Sequence, residues 1–108
     1  MIYELRIYHL NPGKQPNINA RFRDITFRLF KKHGIHVCDF WEDAEGNEKI
    51  YYYCSYSSRE ARDAAFEAFL SDPEWIEAKE ASHKDGVIVA RVENHFMTRP
   101  DFVTPDYE

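Results

Sequence analysis

No apolar run in this 108-residue chain approaches the ~20 residues that a membrane-spanning helix needs. Glycine is scarce: there are four, and none falls in a GxGxxG or GxxxxGK pattern, which excludes the loops that cradle nucleotide phosphates. No serine lies in an elbow motif, and no Cys–His pair has the context of a nucleophile. Positive charge is in deficit, with 14 Lys and Arg against 19 Asp and Glu. An acidic chain without a basic cluster argues against a nucleic-acid partner, whose phosphates need neutralising cations. The most basic run, Arg28, Lys31, Lys32 and His33, reads as a helix C-terminus, where cations oppose the negative end of the dipole. Only two cysteines occur, and the first residues form a strand rather than a charged leader. The expectation is reduced thiols in a cytoplasm.

Aromatic residues, by contrast, are plentiful: eight Phe, seven Tyr and two Trp. They carry large apolar area, and Tyr and Trp add a polar handle, which suits half-wet cavities and interfaces. The length implies one domain with a modest core. Residues 1–98 are expected to form it, with 99–108 as a proline-punctuated tail.

The opening stretch MIYELRIYHL alternates, with Tyr3, Leu5, Ile7 and His9 on one side and Ile2, Glu4, Arg6, Tyr8 and Leu10 on the other, a strand signature. Asn11-Pro12-Gly13-Lys14 is a turn. Ile18, Phe22, Ile25 and Leu29 then recur at helical spacing, predicting a helix over 16–33 that stops at Gly34. Strands are predicted at 35–41 and 49–56, joined by a hairpin loop containing Gly46-Asn47. Ser57 and Glu60 resemble a capping box opening a second helix, whose Ala61, Ala64, Ala65 and Ala68 would allow close packing. Pro73 restarts a short third helix, and 87–97 forms a fourth strand.

This order is the ferredoxin-like βαββαβ arrangement of the α+β class: a four-stranded antiparallel sheet with helices on one face. The other sheet face is left bare and needs a partner. With the more apolar alternation assigned to the helices, the bare face comprises Glu4, Arg6 and Tyr8, then Tyr52, Cys54 and Tyr56, then Arg91, Glu93 and His95. Strand two is ambiguous: either His36, Cys38 and Phe40 or Val37, Asp39 and Trp41 belong there. A slip of one residue exchanges the two faces of any strand. Such a mix of aromatics and charge suits either a charge-paired dimer interface or a small-molecule cavity.

Several stretches carry a resemblance: YELRIYHLNPGK at 3–14, HGI at 33–35, FW at 40–41, YSSREAR at 56–62, DPEW at 72–75 and ENHFMTRPDF at 93–102. In this order they resemble the NIPSNAP family of the dimeric α/β-barrel, or stress-response barrel, superfamily. The resemblance implies a homodimer in which two bare sheet faces pair, with a possible small-molecule ligand in the barrel cavity. It implies no particular reaction. Related barrels include cofactor-free monooxygenases, haem-degrading enzymes and small-ligand binders.

The expected ligand-binding set is Glu4, Arg6, Tyr8, Trp41, Tyr52, Tyr56, Glu93 and His95. Were the protein an enzyme, it would be of the cofactor-independent monooxygenase type. His95 would move protons beside Glu93, Arg6 would hold an anionic oxygen, and Tyr8 would assist. No cofactor is expected. A metal at His33, His36 and Cys38 is disfavoured, because zinc sites need four well-placed ligands. RNA stacking on the Tyr51–Tyr53 strand is a distant reading, since the basic signature of such domains is missing. A barrel interior packed shut, serving interaction alone, is the third alternative. If Arg6 faces a second copy, Arg6→Glu should break assembly by placing like charge beside Glu4 and Glu93.

Overall fold

Period-two runs rich in Ile, Val and aromatics form four strands in the computed structural model, which describes residues 1–105. They are β1 (Ile2–Leu10), β2 (His36–Glu42), β3 (Lys49–Tyr56) and β4 (Val89–Met97). All neighbours are antiparallel, in the order β2-β3-β1-β4. Helices cover one face, giving the expected ferredoxin-like α+β fold. Among the described residues no helix is long and apolar enough to cross a membrane.

The first helical stretch is continuous from Gln15 to Lys32: α1 (Gln15–Arg21), a π-helical turn (Phe22–Thr26) and α2 (Phe27–Lys32). Thr26 explains part of the widening, because its hydroxyl donates to the Arg21 carbonyl five residues back. Ile18, Phe22, Leu29 and Phe30 are buried from this stretch, and the predicted Ile25 packs at the margin. Gly34 ends α2 with φ of 76°, where a side chain would be strained. The Ile35 N–H reaches the Phe30 carbonyl and the Gly34 N–H reaches that of Lys31, which makes a Schellman stop.

After β3 come α3 (Arg59–Ser71) and α4 (Pro73–Ser82). The cap of α3 is Ser58, not Ser57: its hydroxyl accepts from the Ala61 N–H at 3.0 Å. The start therefore lies one residue later than the capping box implied, and Glu60 is not at the reciprocal position. Ser58→Ala should lower stability by about 1 kcal/mol, a fall in Tm of roughly 4 °C by differential scanning calorimetry; no change would mean the cap is idle. The packing face of α3 is Arg62, Ala65, Phe66 and Phe69, whereas Ala61, Ala64 and Ala68 are exposed. The small residues thus do not form the packed stripe. The aromatic pair needs the volume under the helix, and Phe30 fits against both rings at 5.9 and 4.9 Å.

The basic run ends α2 as expected and also has specific partners. Lys32 and His33 both donate to Asp72, at 2.8 and 2.7 Å, while Asp72 caps α4 by accepting the Glu74 N–H. One carboxylate thus joins the negative end of one helix to the positive end of another. His33 is committed to this bond and does not converge with His36 and Cys38. Among the described residues no cluster suited to a metal occurs. Cys54 is fully buried and Cys38 half-buried at a register shift in β2, and both thiols are free.

Candidate functional site

Side chains on a strand alternate, so one contact fixes the facing of a whole strand. On β1 that contact is Glu4. Its carboxylate accepts Arg62 of α3 twice, at 3.0 and 2.8 Å, and it is fully buried. Glu4, Arg6 and Tyr8 therefore lie under the helices, the reverse of the expected facing. Cross-strand pairing carries the reversal to β3, where Tyr52 is opposite Arg6 and Cys54 opposite Glu4. Ile50, Tyr52 and Cys54 have no solvent exposure, and Tyr56 is buried too.

The reason is electrostatic. Apolarity favoured turning Tyr3, Leu5, Ile7 and His9 inward, but Glu4 is matched by three donors that only the covered side supplies. Arg62, Arg6 at 3.0 Å and Asn94 at 3.2 Å converge on it. Burial opposes its ionisation, yet the Arg62 hydrogen bond, the Arg6 charge and the Asn94 amide outweigh it. The Glu4 carboxyl is held below its ordinary value. Arg6 also donates through Nε to the Tyr52 phenol at 2.8 Å, and the Tyr8 and Tyr52 hydroxyls are 2.8 Å apart. Burial pushes the Tyr52 phenol well up, so it stays protonated. Phe66 lies within 4.6 Å of the Arg6 guanidinium and 4.5 Å of that of Arg62.

The expected facing of β4 holds. Glu93 is opposite Ile7, and His95 is opposite Leu5, on the bare side. Trp41, left open by the sequence, lies there too, stacked on Tyr53 at 5.8 Å, while Phe40 turns inward against Phe22 and Tyr52. His9 and His95 each donate Nε2 to Glu93, at 3.0 and 2.8 Å. These two bonds, that of His95 first, lower its carboxyl to about 2. The expected site is thus divided by the sheet. Glu4, Arg6, Tyr8, Tyr52 and Tyr56 are on the helix side; Trp41, Glu93 and His95 are on the bare side. His95 cannot meet Arg6 and Tyr8 at one point within a chain. Arg99, beyond the expected domain end, lies over the Tyr3 ring and donates to its hydroxyl at 2.7 Å. The last three residues of the expected 99–108 tail are outside the described ones.

Of the helix-side residues, Arg6 and Tyr8 open onto a cleft of about 430 Å³ between α3, α4 and the β4 edge of the sheet. Phe66, Phe69 and Trp75 form one wall, with Phe69 and Trp75 rings 4.6 Å apart. Arg6 and Tyr8 form the floor, and Arg21, Lys79 and His83 also line it. Sequence reasoning missed Arg21, Arg62 and Trp75. A signal for the two arginines was present: Arg21 follows Ile18 by three residues and Arg62 precedes Phe66 by four, so each lies on an apolar helix face and demands a partner.

The sequence profile of the NIPSNAP family matches residues 3–103. The chain belongs to the NIPSNAP family. No curated protein matches it. Among solved structures, a NIPSNAP domain protein from Burkholderia xenovorans is 19% identical with a TM-score of 0.82, over 97% of this chain and 100% of its own. A NIPSNAP family protein from Agrobacterium tumefaciens is also 19% identical at 0.82, over 94% of each chain. A protein from Nitrosomonas europaea, provisionally described as an antibiotic biosynthesis monooxygenase, is 13% identical at 0.65, over 92% of this chain and 98% of its own. At these identities the likeness is one of fold. The NIPSNAP fold and the monooxygenase-like fold share the same sheet and helix layer.

Proposed function

We propose that this NIPSNAP chain acts as a cytoplasmic homodimer, joined through its bare sheet faces, that binds a small apolar or aromatic molecule. The binding place is the cleft under the helices rather than a cavity between the two sheets. The observation that carries this reading is the cleft itself. Its volume of about 430 Å³ falls in the usual range for ligand pockets, and its aromatic wall faces a few fixed polar groups, Arg6 and Tyr8. The free thiols agree with a reducing compartment.

The test uses 2-naphthamide as a neutral aromatic probe, with methyl NMR as the readout. The methyl resonances of Leu70, Val89 and Val92, which line the cleft, should shift in a saturable way, while those of Leu5 and Ile7 stay fixed. Shifts confined to Leu5 and Ile7 would move the site between the sheets, and no shift at all would leave a purely structural module. The enzymatic alternative, a cofactor-independent monooxygenase type, rests on Arg6 and Tyr8 at the cleft floor, both hydrogen-bonded to the buried Tyr52 phenol behind them. His95 would have no part in it, since it stands on the other side of the sheet.

A further inference from the structure

The chain is acidic, at −5, yet the cleft gathers Arg6, Arg21, Arg62 and Lys79 with His83. Glu4 is the buried acid beside them, and its oxygens are taken by Arg6, Arg62 and Asn94. Arg21 has no such partner. The residue is 6% exposed, and its Nη1 donates to the Ser82 hydroxyl at 3.2 Å and approaches the His83 ring at 3.5 Å. Its Nε is buried with no hydrogen-bond partner. A buried guanidinium N–H without an acceptor is costly, and native structures rarely leave one so. Burial pushes the Arg21 guanidinium down from its ordinary value. Its carbon centre lies 5.2 Å from the Trp75 ring, so the guanidinium adjoins the aromatic wall.

We propose that the cleft takes a carboxylate-bearing aromatic or apolar molecule, with the Arg21 guanidinium as the anchor of its anionic end. This rests on the reading of the cleft as a small-molecule site and names the class of ligand. The body of the ligand lies on Phe69 and Trp75, and its carboxylate accepts the vacant Arg21 N–H. The planar fork of arginine suits a planar carboxylate. The donors of Arg6 and Arg62 are engaged by Glu4 and Tyr52, so the buried guanidinium N–H left without an acceptor is that of Arg21.

The test compares 2-naphthoate with its neutral counterpart 2-naphthamide by isothermal calorimetry and by NMR of the Arg21 side-chain Nε–H. That resonance is assigned through its bonds to the Arg21 backbone, so the measurement needs no variant. The acid should bind about tenfold or more tightly than the amide, a difference worth about 1.4 kcal/mol. It alone should move the Nε–H resonance downfield, and Arg21→Gln should abolish the preference. Equal affinity for both probes, with the cleft methyls shifting for both, would overturn the anion site and leave the cleft reading intact. Cleft methyls untouched by either probe would overturn both. If Arg21→Gln does not fold, the wild-type resonance decides: an Nε–H unmoved by saturating 2-naphthoate sinks the proposal.

Discussion

Glu4→Gln should unfold far more readily than the wild type, with about 3–5 kcal/mol lost and Tm lowered by roughly 15 °C. The amide keeps the shape of the carboxylate but not its charge, so Arg6 and Arg62 are left as two neighbouring cations, with side chains only 12% and 16% exposed. Breaking one partner from a buried ionic group is expensive because the others remain desolvated without compensation. Urea unfolding at pH 7 measures the loss. Its pH dependence is a second check with a definite sign. The carboxyl of Glu4 is depressed in the folded state and titrates near its ordinary 4.5 when unfolded. The folded state thus binds fewer protons there. The stability contributed by Glu4 ionisation is fully present above about pH 4.5 and is lost as pH falls through the lower folded value. The gap between wild type and Glu4→Gln should be constant from pH 7 to 5 and narrow below that. A gap under about 1 kcal/mol, or one that does not narrow on acidification, would show that Glu4 is not ionised and paired.

The same carboxylate explains why the architecture was legible in the sequence and the site was only half so. Element order follows from periodicity and turn residues, which act locally: Ile18, Phe22 and Leu29 predict a helix whatever surrounds them. Strand facing is not local. Tyr52 and Tyr53 are chemically alike, and adjacent in sequence, yet one is fully buried among Phe22, Phe30 and Phe40 and the other stacks on Trp41 across the bare face. Only the partner decides between them, and the partner of β1 is Arg62, 58 residues away. Apolarity pointed the wrong way because this sheet places its more apolar β1 alternation, Leu5 and Ile7, on the uncovered side. On β4 apolarity points the right way: Val92 and Phe96, opposite Tyr8 and Glu4, alternate with Glu93 and His95 on the bare side. The cleft was illegible for another reason. It is assembled from five separate segments of chain, and no spacing in any one of them announces it.

Leu5→Glu should convert a dimer into a folded monomer, with native mass spectrometry giving 12.9 kDa rather than twice that value. Leu5 is at the centre of the uncovered side, between Tyr53 of β3 and His95 of β4. Trp41 is 45% exposed and Met97 39%. An apolar sheet face of this kind is an expected interface. Glu93 there already holds His9 and His95 and lies 3.7 Å from Arg91. Burying this group against a second copy therefore keeps its carboxylate paired. A glutamate at Leu5 reverses that condition: the two-fold symmetry of a dimer would bring both new carboxylates into one apolar interface. Dimerisation should weaken by at least about a hundredfold, roughly 3 kcal/mol, while far-UV circular dichroism stays that of the folded chain. Arg6→Glu is the contrasting substitution. The sequence alone placed Arg6 on the interface, but beneath the helices it contacts Glu4 and Tyr52, so the damage falls on the fold. A Leu5→Glu protein that keeps the dimer mass would show that the bare face is not where two chains meet.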